Sequence, residues 1–370
     1  MKCPYFNICH SCTYDLEDAS SSALKKFSAT KAILEPYIVK ETIENLQPYH
    51  YRHKVIYHFA EQKGHLIAGF HPEKSNSVFG VDNCLIQNET ASNIMKDLLP
   101  ILRKYKLKAY NPISGNGTLR HILFRISKDN KALICFVLGN KIFYSSQKII
   151  HEITKLHPEI IGINSSVNSR DTSVVMEGSI KNLYGRDYLL DNLGEYRFAI
   201  SPSSFYQVNP KMAEVIYTTV INDLALKGDE KAVDAYCGIG TITLFAAKNV
   251  KEIKGIEVNP NAVKDAINNA KRNGINNALF IYGDAEKLIL KEKADVLFVD
   301  PPRSGLSKQL ALGLVSKGPK KIAYISCNPK TLKRDLDILT KTYEVRDLKL
   351  YDQFSFTDHL EASCILERIK

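Results

Sequence analysis

A cysteine and a glutamate stand near the C-terminus in positions where their side chains could react with a ligand. Cys327 follows the apolar run KKIAYIS, so it is predicted at the end of a strand rather than inside a core. A thiolate there, close to positive charge such as Arg303 or Arg334, could have a lowered pKa and act as a nucleophile. Glu361 precedes the apolar run ASCIL. Burying a carboxylate there destabilises the fold unless the carboxylate has a catalytic role or an ion-pair partner. We interpret Cys327 as nucleophile and Glu361, in preference to His359, as general base.

Four more strand ends carry groups suited to a nucleoside ligand. The segment KAVDAYCGIGTITL is typical of a strand, a glycine turn and a helix, and its two glycines let backbone approach a ligand. A dinucleotide site would want a third glycine where this chain has Thr243, which argues against NAD. Glu257 ends the next strand, where a carboxylate can bind both ribose hydroxyls. Asp284 and Asp300 end the third and fourth strands. Each carboxylate alone could be a helix cap, but the set indicates a binding site.

The two reactive residues suit methylation of a uracil ring. C5 of uracil is a poor nucleophile, so its direct attack on the methyl group of a sulfonium is slow. Addition of a thiolate at C6 turns the ring into an enolate whose C5 can accept the methyl group. A base must then remove the C5 proton so that the sulfur can leave. Cys327 and Glu361 together supply what this chemistry requires.

Residues 185–370 alternate short apolar strands with amphipathic helical patterns. This alternation predicts an α/β domain with a doubly wound, mostly parallel sheet that ends in antiparallel strands. The predicted strands are Lys231–Tyr236, Ile253–Val258, Ala278–Tyr282, Ala294–Asp300, Lys321–Ser326, Val345–Leu350 and Ala362–Glu367. The first half instead alternates β-rich stretches with Gly, Asn and Pro turns, which predicts a smaller α+β domain.

We place the domain boundary near residue 190, with domains at 1–190 and 191–370. Residues 15–47 look helical and polar up to the break at Gln47–Pro48, and this segment could pack on the catalytic domain. No membrane span or signal peptide is evident, so we expect a cytoplasmic protein without an obligate protein partner.

The charge of the chain favours an anionic partner. The formal net charge is +10 from 50 basic and 40 acidic residues, and nucleic acid is the first candidate. Basic and aromatic residues on strands of the first domain could contact phosphate and stack unpaired bases, although ordinary solvated strand faces explain any one of them nearly as well. They lie in the runs Tyr51-Arg52-His53-Lys54 and Leu119-Arg120-His121, and at Arg125.

Three cysteines fall within the first twelve residues, as C-x5-C-x2-C, and a fourth follows at Cys84. Four thiolates suit an iron–sulfur cluster or tetrahedral zinc, and their spacing does not separate the two. A three-plus-one arrangement favours a [4Fe-4S] cluster, with ligands Cys3, Cys9, Cys12 and Cys84. The remaining cysteines lie in apolar contexts and are predicted to be packing residues: Cys135, Cys237 and Cys364.

Across nearly its whole length the sequence resembles the S-adenosylmethionine-dependent RNA 5-methyluridine methyltransferase family. The matching segments, in order, are SPSSFYQVN, DAYCGIGTITL, GIEVNPNAV, YGDAE, VDPPRSGL, ISCNPKTLKRDL and HLEASCILER. The resemblance implies a Rossmann-like class I methyltransferase domain preceded by an iron–sulfur and RNA-binding domain. It implies Cys327 as nucleophile and Glu361 as proton acceptor, and it strengthens the assignment of a [4Fe-4S] cluster. The implied contacts to S-adenosylmethionine are Gln207, Tyr236, Thr241, Glu257, Asp284 and Asp300.

The resemblance also bears on the target RNA. The chain begins at the cysteine cluster, without the β-barrel of the TRAM type that precedes it in many relatives, and this favours the shorter enzymes that act on 23S ribosomal RNA. A transfer-RNA enzyme acting on the T-loop has the same chemistry and is the main alternative. A second alternative is a non-catalytic RNA-binding iron–sulfur protein, which the intact Cys327 and Glu361 speak against. A nitrogen methyltransferase would more commonly have an aromatic residue after Asp300-Pro301-Pro302, where this chain has Arg303.

Overall fold

The computed structural model describes the chain except for residues 1, 15, 73, 74, 76, 171–173, 177 and 370. Its helices are α1 (Phe6–Cys9), α2 (Ala19–Leu34), α3 (Glu89–Lys104), α4 (Ser146–Leu156), α5 (Pro210–Asp223), α6 (Thr241–Ala247), α7 (Pro260–Arg272), α8 (Ala285–Leu288), α9 (Lys308–Lys317) and α10 (Pro329–Leu339). Its strands are β1 (Glu41–Ile43), β2 (Lys54–Gln62), β3 (His65–Phe70), β4 (Phe79–Gly80), β5 (Leu119–Ile126), β6 (Ala132–Leu138), β7 (Ile160–Val167), β8 (Lys181–Gly185), β9 (Leu189–Leu193), β10 (Tyr196–Ile200), β11 (Lys231–Ala235), β12 (Glu252–Glu257), β13 (Ala278–Tyr282), β14 (Val296–Val299), β15 (Lys321–Ser326), β16 (Tyr343–Tyr351) and β17 (Glu361–Arg368).

The chain forms two compact units, and it crosses between them more than once. The first unit contains Met1–Thr13, Tyr49–Asn192 and Ala199–Ser203. The second contains Tyr14–Pro48, Leu193–Phe198 and Ser204–Lys370. Residues 14–48 therefore belong to the same unit as the C-terminal half.

The first unit is built on a mixed sheet whose strand order, over the described residues, is β4-β3-β2-β5-β6-β7-β8. The pairs are antiparallel except β6 with β7, which are parallel and are joined through α4. Every second residue of β2, namely Val55, Tyr57 and Phe59, is buried in the core on which α3 and α4 pack. The intervening residues of β2 face the other side of the sheet.

The second unit is a doubly wound sheet of eight strands within the described part of the chain, in the order β1-β16-β17-β15-β14-β11-β12-β13. Strands β11 to β15 are parallel, and β17 runs antiparallel to both β15 and β16. All seven predicted strands are present, including the antiparallel C-terminal pair. In such a sheet the carboxyl ends of the parallel strands meet at one rim, where ligands bind.

The helix predicted over residues 15–47 is wrong beyond Leu34. Helix α2 ends there, since Pro36 lacks an amide hydrogen and disfavours helical backbone at the residue before it. The chain then becomes extended, and Glu41–Ile43 pairs in parallel with Lys349–Tyr351 of β16. None of the helices in the described residues is both long and apolar enough to span a membrane.

Candidate functional site

Cys327 lies directly after β15, at the rim formed by the carboxyl ends of the parallel strands. The next residue, Asn328, caps α10, and its side-chain amide donates to the backbone oxygen of Arg303 at 2.9 Å. Thr331 donates to the same oxygen at 3.2 Å. These bonds fix the loop after β14 beside Cys327, and the Arg303 side chain forms a hydrogen bond with the thiol. The rim position predicted for Cys327 is confirmed.

The predicted lowering of the Cys327 pKa is wrong. Burial raises the pKa of this thiol to about 11, and the nearby carboxylates of Glu361 and Asp300 raise it further. Arg303 acts in the opposite direction but does not outweigh burial. Arg334 instead pairs with Asp335, at 2.7 Å between Nη2 and Oδ1. The sulfur is therefore a thiol at neutral pH, and a base must take its proton before it can attack.

Glu361 is the first residue of β17 and is only 4% exposed. Burial raises its pKa well above the usual range, Asp300 adds to the effect, and Arg303 opposes it. Its Oε2 is buried without a hydrogen-bond partner in the described residues. A buried carboxylate oxygen without a partner carries a large desolvation penalty, so it is well suited to accept a proton.

Asp300 follows β14 and completes a group of three titratable side chains with Cys327 and Glu361. Burial raises the pKa of Asp300 to about 7. Since two carboxylates close together resist simultaneous ionisation, the pair can hold or release a proton near neutral pH. His359 is largely exposed, and its Nε2 lies 3.6 Å from Asp358.

Tyr217 on α5 connects the candidate cofactor residues to this group. Its ring is 3% exposed, and its hydroxyl forms hydrogen bonds with the side chains of Gln207 and Thr241. Burial, Asp300 and Glu361 all raise its pKa. The structure therefore brings Gln207 and Thr241 to the catalytic rim. Sequence reasoning missed Tyr217 because a tyrosine on the buried face of a helix has the same pattern as a core residue.

The glycine turn and Glu257 form a second part of the rim. The carboxylate of Glu257 accepts from the backbone amide of Gly238 at 3.1 Å and from that of Asn259 at 2.8 Å. The turn requires left-handed backbone, with φ of 54° at Gly238 and 85° at Gly240. Thr243, which stands where a dinucleotide site has a glycine, donates to the buried Asp234 at 2.5 Å.

Tyr236 and Asp284 meet near Glu286 on the same rim. The Tyr236 hydroxyl donates to Glu286 Oε1 at 2.6 Å. Asp284 caps α8 by accepting from the Glu286 amide at 3.0 Å, and its second oxygen lies 3.2 Å from Lys287 Nζ. Asp284 is thus a helix cap as well as a rim residue. Every residue predicted to bind the cofactor lies in the second unit.

The four cysteines predicted as metal ligands line one cavity of about 290 Å³ in the first unit, together with Arg52, His58 and His71. Burial raises the pKa of Cys12 to about 12, and Cys84, Cys9 and Cys3 raise it further, which places the four sulfurs close together. As the side chains stand, no group of three or more His, Cys, Asp or Glu in the described residues has metal-binding spacing. The predicted ligands are gathered, but not in ligating positions.

A model of the tRNA (uracil-5-)-methyltransferase family matches residues 19–369. The chain belongs to this family. An uncharacterized RNA methyltransferase of Halalkalibacterium halodurans is 35% identical over 378 residues, which cover 99% of this chain and 82% of the relative. Another from Clostridium acetobutylicum is 38% identical over 338 residues, covering 90% and 74%.

The crystal structure of the tRNA (uracil-54, C5)-methyltransferase of Pyrococcus abyssi, in complex with S-adenosyl-L-homocysteine, has the same fold. It is 25% identical with a TM-score of 0.79, and the match covers 94% of this chain and 83% of that one. The second unit therefore has the α/β class I methyltransferase fold. The protein is an S-adenosylmethionine-dependent RNA (uracil-C5) methyltransferase.

Three residues of this methyltransferase that were predicted to meet RNA are buried, uncharged or bonded to the protein's own backbone. Tyr51 is 5% exposed, so its ring has no surface for stacking, and that prediction is wrong. Burial lowers the pKa of His121 to about 3, so it carries no charge at neutral pH. Arg120 donates to the backbone oxygens of Asn168 and Arg170.

Proposed function

We propose that this enzyme methylates C5 of a uridine in RNA through a covalent bond between Cys327 and C6 of the uracil. The observation that carries the proposal is the group formed by Cys327, Asp300 and Glu361 at the carboxyl rim of a methyltransferase sheet. A thiol and two proton-accepting carboxylates are what C5 methylation needs, whereas transfer to an amine nitrogen needs no cysteine.

The proposed reaction begins with the thiol proton of Cys327, which Asp300 accepts. The sulfur then bonds to C6 while the C5–C6 π electrons move into an enolate. S-adenosylmethionine supplies an electrophilic methyl group, and C5 takes it. Glu361 removes the remaining C5 proton, the C5–C6 double bond re-forms, and the sulfur–C6 bond breaks. Asp300 returns its proton to the sulfur, so the reaction releases one proton in all, from Glu361.

The cofactor residues are proposed from their chemistry and their position. Glu257 suits the ribose hydroxyls because backbone amides hold its carboxylate at the strand end, one oxygen bonded to Gly238 of the glycine turn and the other to Asn259. Asp284 suits an amino group of adenine. Gln207 and Thr241 would contact the methionine part through the network around Tyr217. The full proposed set is Gln207, Tyr236, Thr241, Glu257, Asp284 and Asp300.

The test is transfer of radiolabelled methyl from S-adenosylmethionine to unmodified RNA, with nucleoside analysis of the product. The wild type should produce 5-methyluridine, and Cys327→Ala should produce none. Cys135→Ala, which removes a buried cysteine of the first unit, serves as the control and should remain active. Formation of 5-methyluridine by Cys327→Ala at the wild-type rate would show that Cys327 is not the nucleophile.

The target RNA is proposed as 23S ribosomal RNA, with the T-loop of transfer RNA as the second candidate. The Pyrococcus abyssi enzyme supports the second, since it acts on uracil 54 of tRNA. Parallel assays on unmodified transcripts of both RNAs distinguish the two. Product in only one of them, followed by mapping of the methylated position, identifies the substrate.

We further propose that Cys3, Cys9, Cys12 and Cys84 hold a [4Fe-4S] cluster. Four thiolates around an iron–sulfur core have a net negative charge, and the neighbouring Arg52 has a buried Nε without a hydrogen-bond partner in the described residues. A thiolate-bound cluster would give this cation a counter-charge. The cluster would fix the N-terminal segment and, as part of the first unit, could support RNA binding.

Anaerobic purification followed by iron, sulfide and zinc analysis tests this proposal. The wild type and Cys135→Ala should contain iron and acid-labile sulfide, and Cys12→Ala should contain neither. If the wild type contains zinc and no sulfide, the proposed [4Fe-4S] cluster is wrong and the same cysteines hold zinc instead.

A further inference from the structure

Tyr236 lies in the glycine turn after β11 and has a strained backbone. Its φ of 64° falls in the left-handed region, which is unfavourable for a residue with a β-carbon. Gly238 and Gly240 adopt the same region in this turn without that cost. Strained residues of this kind cluster at ligand sites and persist only where their surroundings fix them. Contacts outside the turn must therefore hold Tyr236 in place.

The Tyr236 side chain is held at both ends. Its ring is partly buried and packs against the core of the second unit. Its hydroxyl donates to Glu286 Oε1 at 2.6 Å, and Glu286 is the only hydrogen-bond partner of this hydroxyl among the described residues. Burial raises the pKa of Tyr236, and the Glu286 carboxylate raises it further, so the phenol keeps its proton and remains a donor at neutral pH.

Glu286 is itself fixed by a third segment of the rim. Its carboxylate accepts from the hydroxyl of Ser307 and, at 3.3 Å, from the Ser307 backbone amide. Ser307 caps α9, and its side chain accepts from the Leu310 amide at 3.1 Å. The carboxylate is therefore anchored to the first residues of a helix, where negative charge is favourable.

Three rim segments thus meet at one carboxylate. They are the glycine turn after β11, the turn after β13 and the loop after β14, and each follows a parallel strand of the second unit. None of the ion pairs in the described part of the chain includes Glu286, whereas the neighbouring Asp284 and Lys287 pair with each other at 3.2 Å. The Glu286 carboxylate is therefore committed to Tyr236 and Ser307.

We infer that Glu286 is a positioning residue for the nucleoside part of S-adenosylmethionine and acts by holding the Tyr236 side chain. This inference rests on the proposed function, which gives Tyr236 a contact with the cofactor. Two groups proposed for the nucleoside flank Tyr236. Gly238 of its own turn donates to Glu257 at 3.1 Å, and the Glu286 amide donates to Asp284 at 3.0 Å. A ring already fixed in place loses little conformational freedom when a ligand packs against it.

The test is calorimetric titration with S-adenosylmethionine, without RNA, of Glu286→Ala and Glu292→Ala. Glu292 is likewise partly buried and accepts from Lys254 at 2.7 Å, but it lies just before β14 rather than at its carboxyl end. Glu286→Ala should bind about tenfold more weakly, because the Tyr236 hydroxyl loses its acceptor. Glu292→Ala should bind like the wild type. Equal affinities of the two variants would overturn the inference.

Two further variants test the bond itself and replace Glu286→Ala if that protein does not fold. Glu286→Gln keeps an acceptor for the Tyr236 hydroxyl and should recover most of the affinity, and binding as weak as that of Glu286→Ala would contradict the proposed role. Tyr236→Phe removes the other partner and should also bind more weakly. Adding Glu286→Ala to Tyr236→Phe should give no more loss than Glu286→Ala alone. Losses that multiply would show that the two residues act independently.

Two more measurements assign the effect to the nucleoside part and separate it from the reaction. Adenosine should compete less well in Glu286→Ala by the same factor as S-adenosylmethionine, and unchanged competition would exclude a nucleoside contact. In turnover the loss should appear in KM for S-adenosylmethionine, and a fall in kcat with an unchanged KM would contradict positioning of the cofactor. The titrations need no RNA. A wild type that binds S-adenosylmethionine without forming 5-methyluridine would contradict the proposed reaction, and a Glu286-dependent affinity would still support this inference.

Discussion

The ammonium of Lys26 lies 2.5 Å from the carboxylate of Asp352, and the two side chains are 1% and 3% exposed. Lys26 Nζ also donates to the backbone oxygens of Phe354 at 2.9 Å and His359 at 3.0 Å. Helix α2 is thereby attached to the segment that leads directly into Glu361. A residue early in the chain thus helps to position the proposed base, although it does not contact the reacting atoms.

Lys26→Met should destabilise the second unit and lower the methylation rate. Removal of one partner of a buried ion pair leaves an uncompensated charge and costs about 3–5 kcal/mol. Urea unfolding measures the loss, with the exposed neighbour Lys25→Met as the control. Adding Asp352→Asn to Lys26→Met should recover part of the stability. An equal loss in Lys25→Met and Lys26→Met would contradict the role given to this pair.

The sequence predicts the sheet of the second unit better than its edge. Strands Ala278–Tyr282 and Lys321–Ser326 have their predicted bounds because local apolar runs and turn residues define them. The strand Glu41–Ile43 has no comparable local signal, and its conformation depends on pairing with β16 about 300 residues away in the sequence. Long-range pairing of this kind is not encoded in a local pattern.

The site shows the same limit. Cys327 and Glu361 could be proposed from the sequence because reactive groups stand there at the ends of apolar strand patterns. Tyr217 could not, because its role depends on contacts with Gln207 and Thr241 from other segments. The direction of the Cys327 pKa shift could not be predicted from the sequence either. It depends on how deeply the thiol is buried and on two carboxylates that only the fold brings near it.

Alkylation of Cys327 should be slow at neutral pH and should accelerate up to a pH of about 11. The thiolate is the reactive form, and burial together with Glu361 and Asp300 keeps the thiol protonated below that pH. Arg303→Met removes the cation that favours the thiolate, so its alkylation at pH 8 should be slower still. Mass spectrometry of the peptide that contains Cys327, after treatment with iodoacetamide, measures the rate. A midpoint near pH 7 would show that the thiol has a lowered pKa after all.

Tyr217→Phe should weaken the binding of S-adenosylmethionine by about tenfold, since loss of a buried hydroxyl leaves its partners unsatisfied. Those partners are the side chains of Gln207 and Thr241, both proposed cofactor ligands. Calorimetric titration with S-adenosylmethionine gives the affinity. Tyr351→Phe is the matched control, because it removes a buried hydroxyl that bonds to Ser363 at 2.8 Å. Similar affinities for the two variants would exclude a specific role for Tyr217.

Glu361→Gln should stall the reaction after methyl transfer and leave the enzyme covalently joined to the RNA. An amide does not remove the C5 proton, so the double bond does not re-form and Cys327 is not released. The glutamine fills the same buried volume, and it removes a carboxylate whose ionisation burial opposes, so the fold is expected to persist. Denaturing electrophoresis with RNA labelled through the transferred methyl group should show a protein–RNA band with Glu361→Gln. The band should be absent when Cys327→Ala is added. The sulfur of Cys327 forms the bond to C6 that joins protein to RNA, and C5 accepts the labelled methyl group only after that bond has formed. Free 5-methyluridine released by Glu361→Gln at the wild-type rate would require a different base, and Asp300 would then be the next residue to replace.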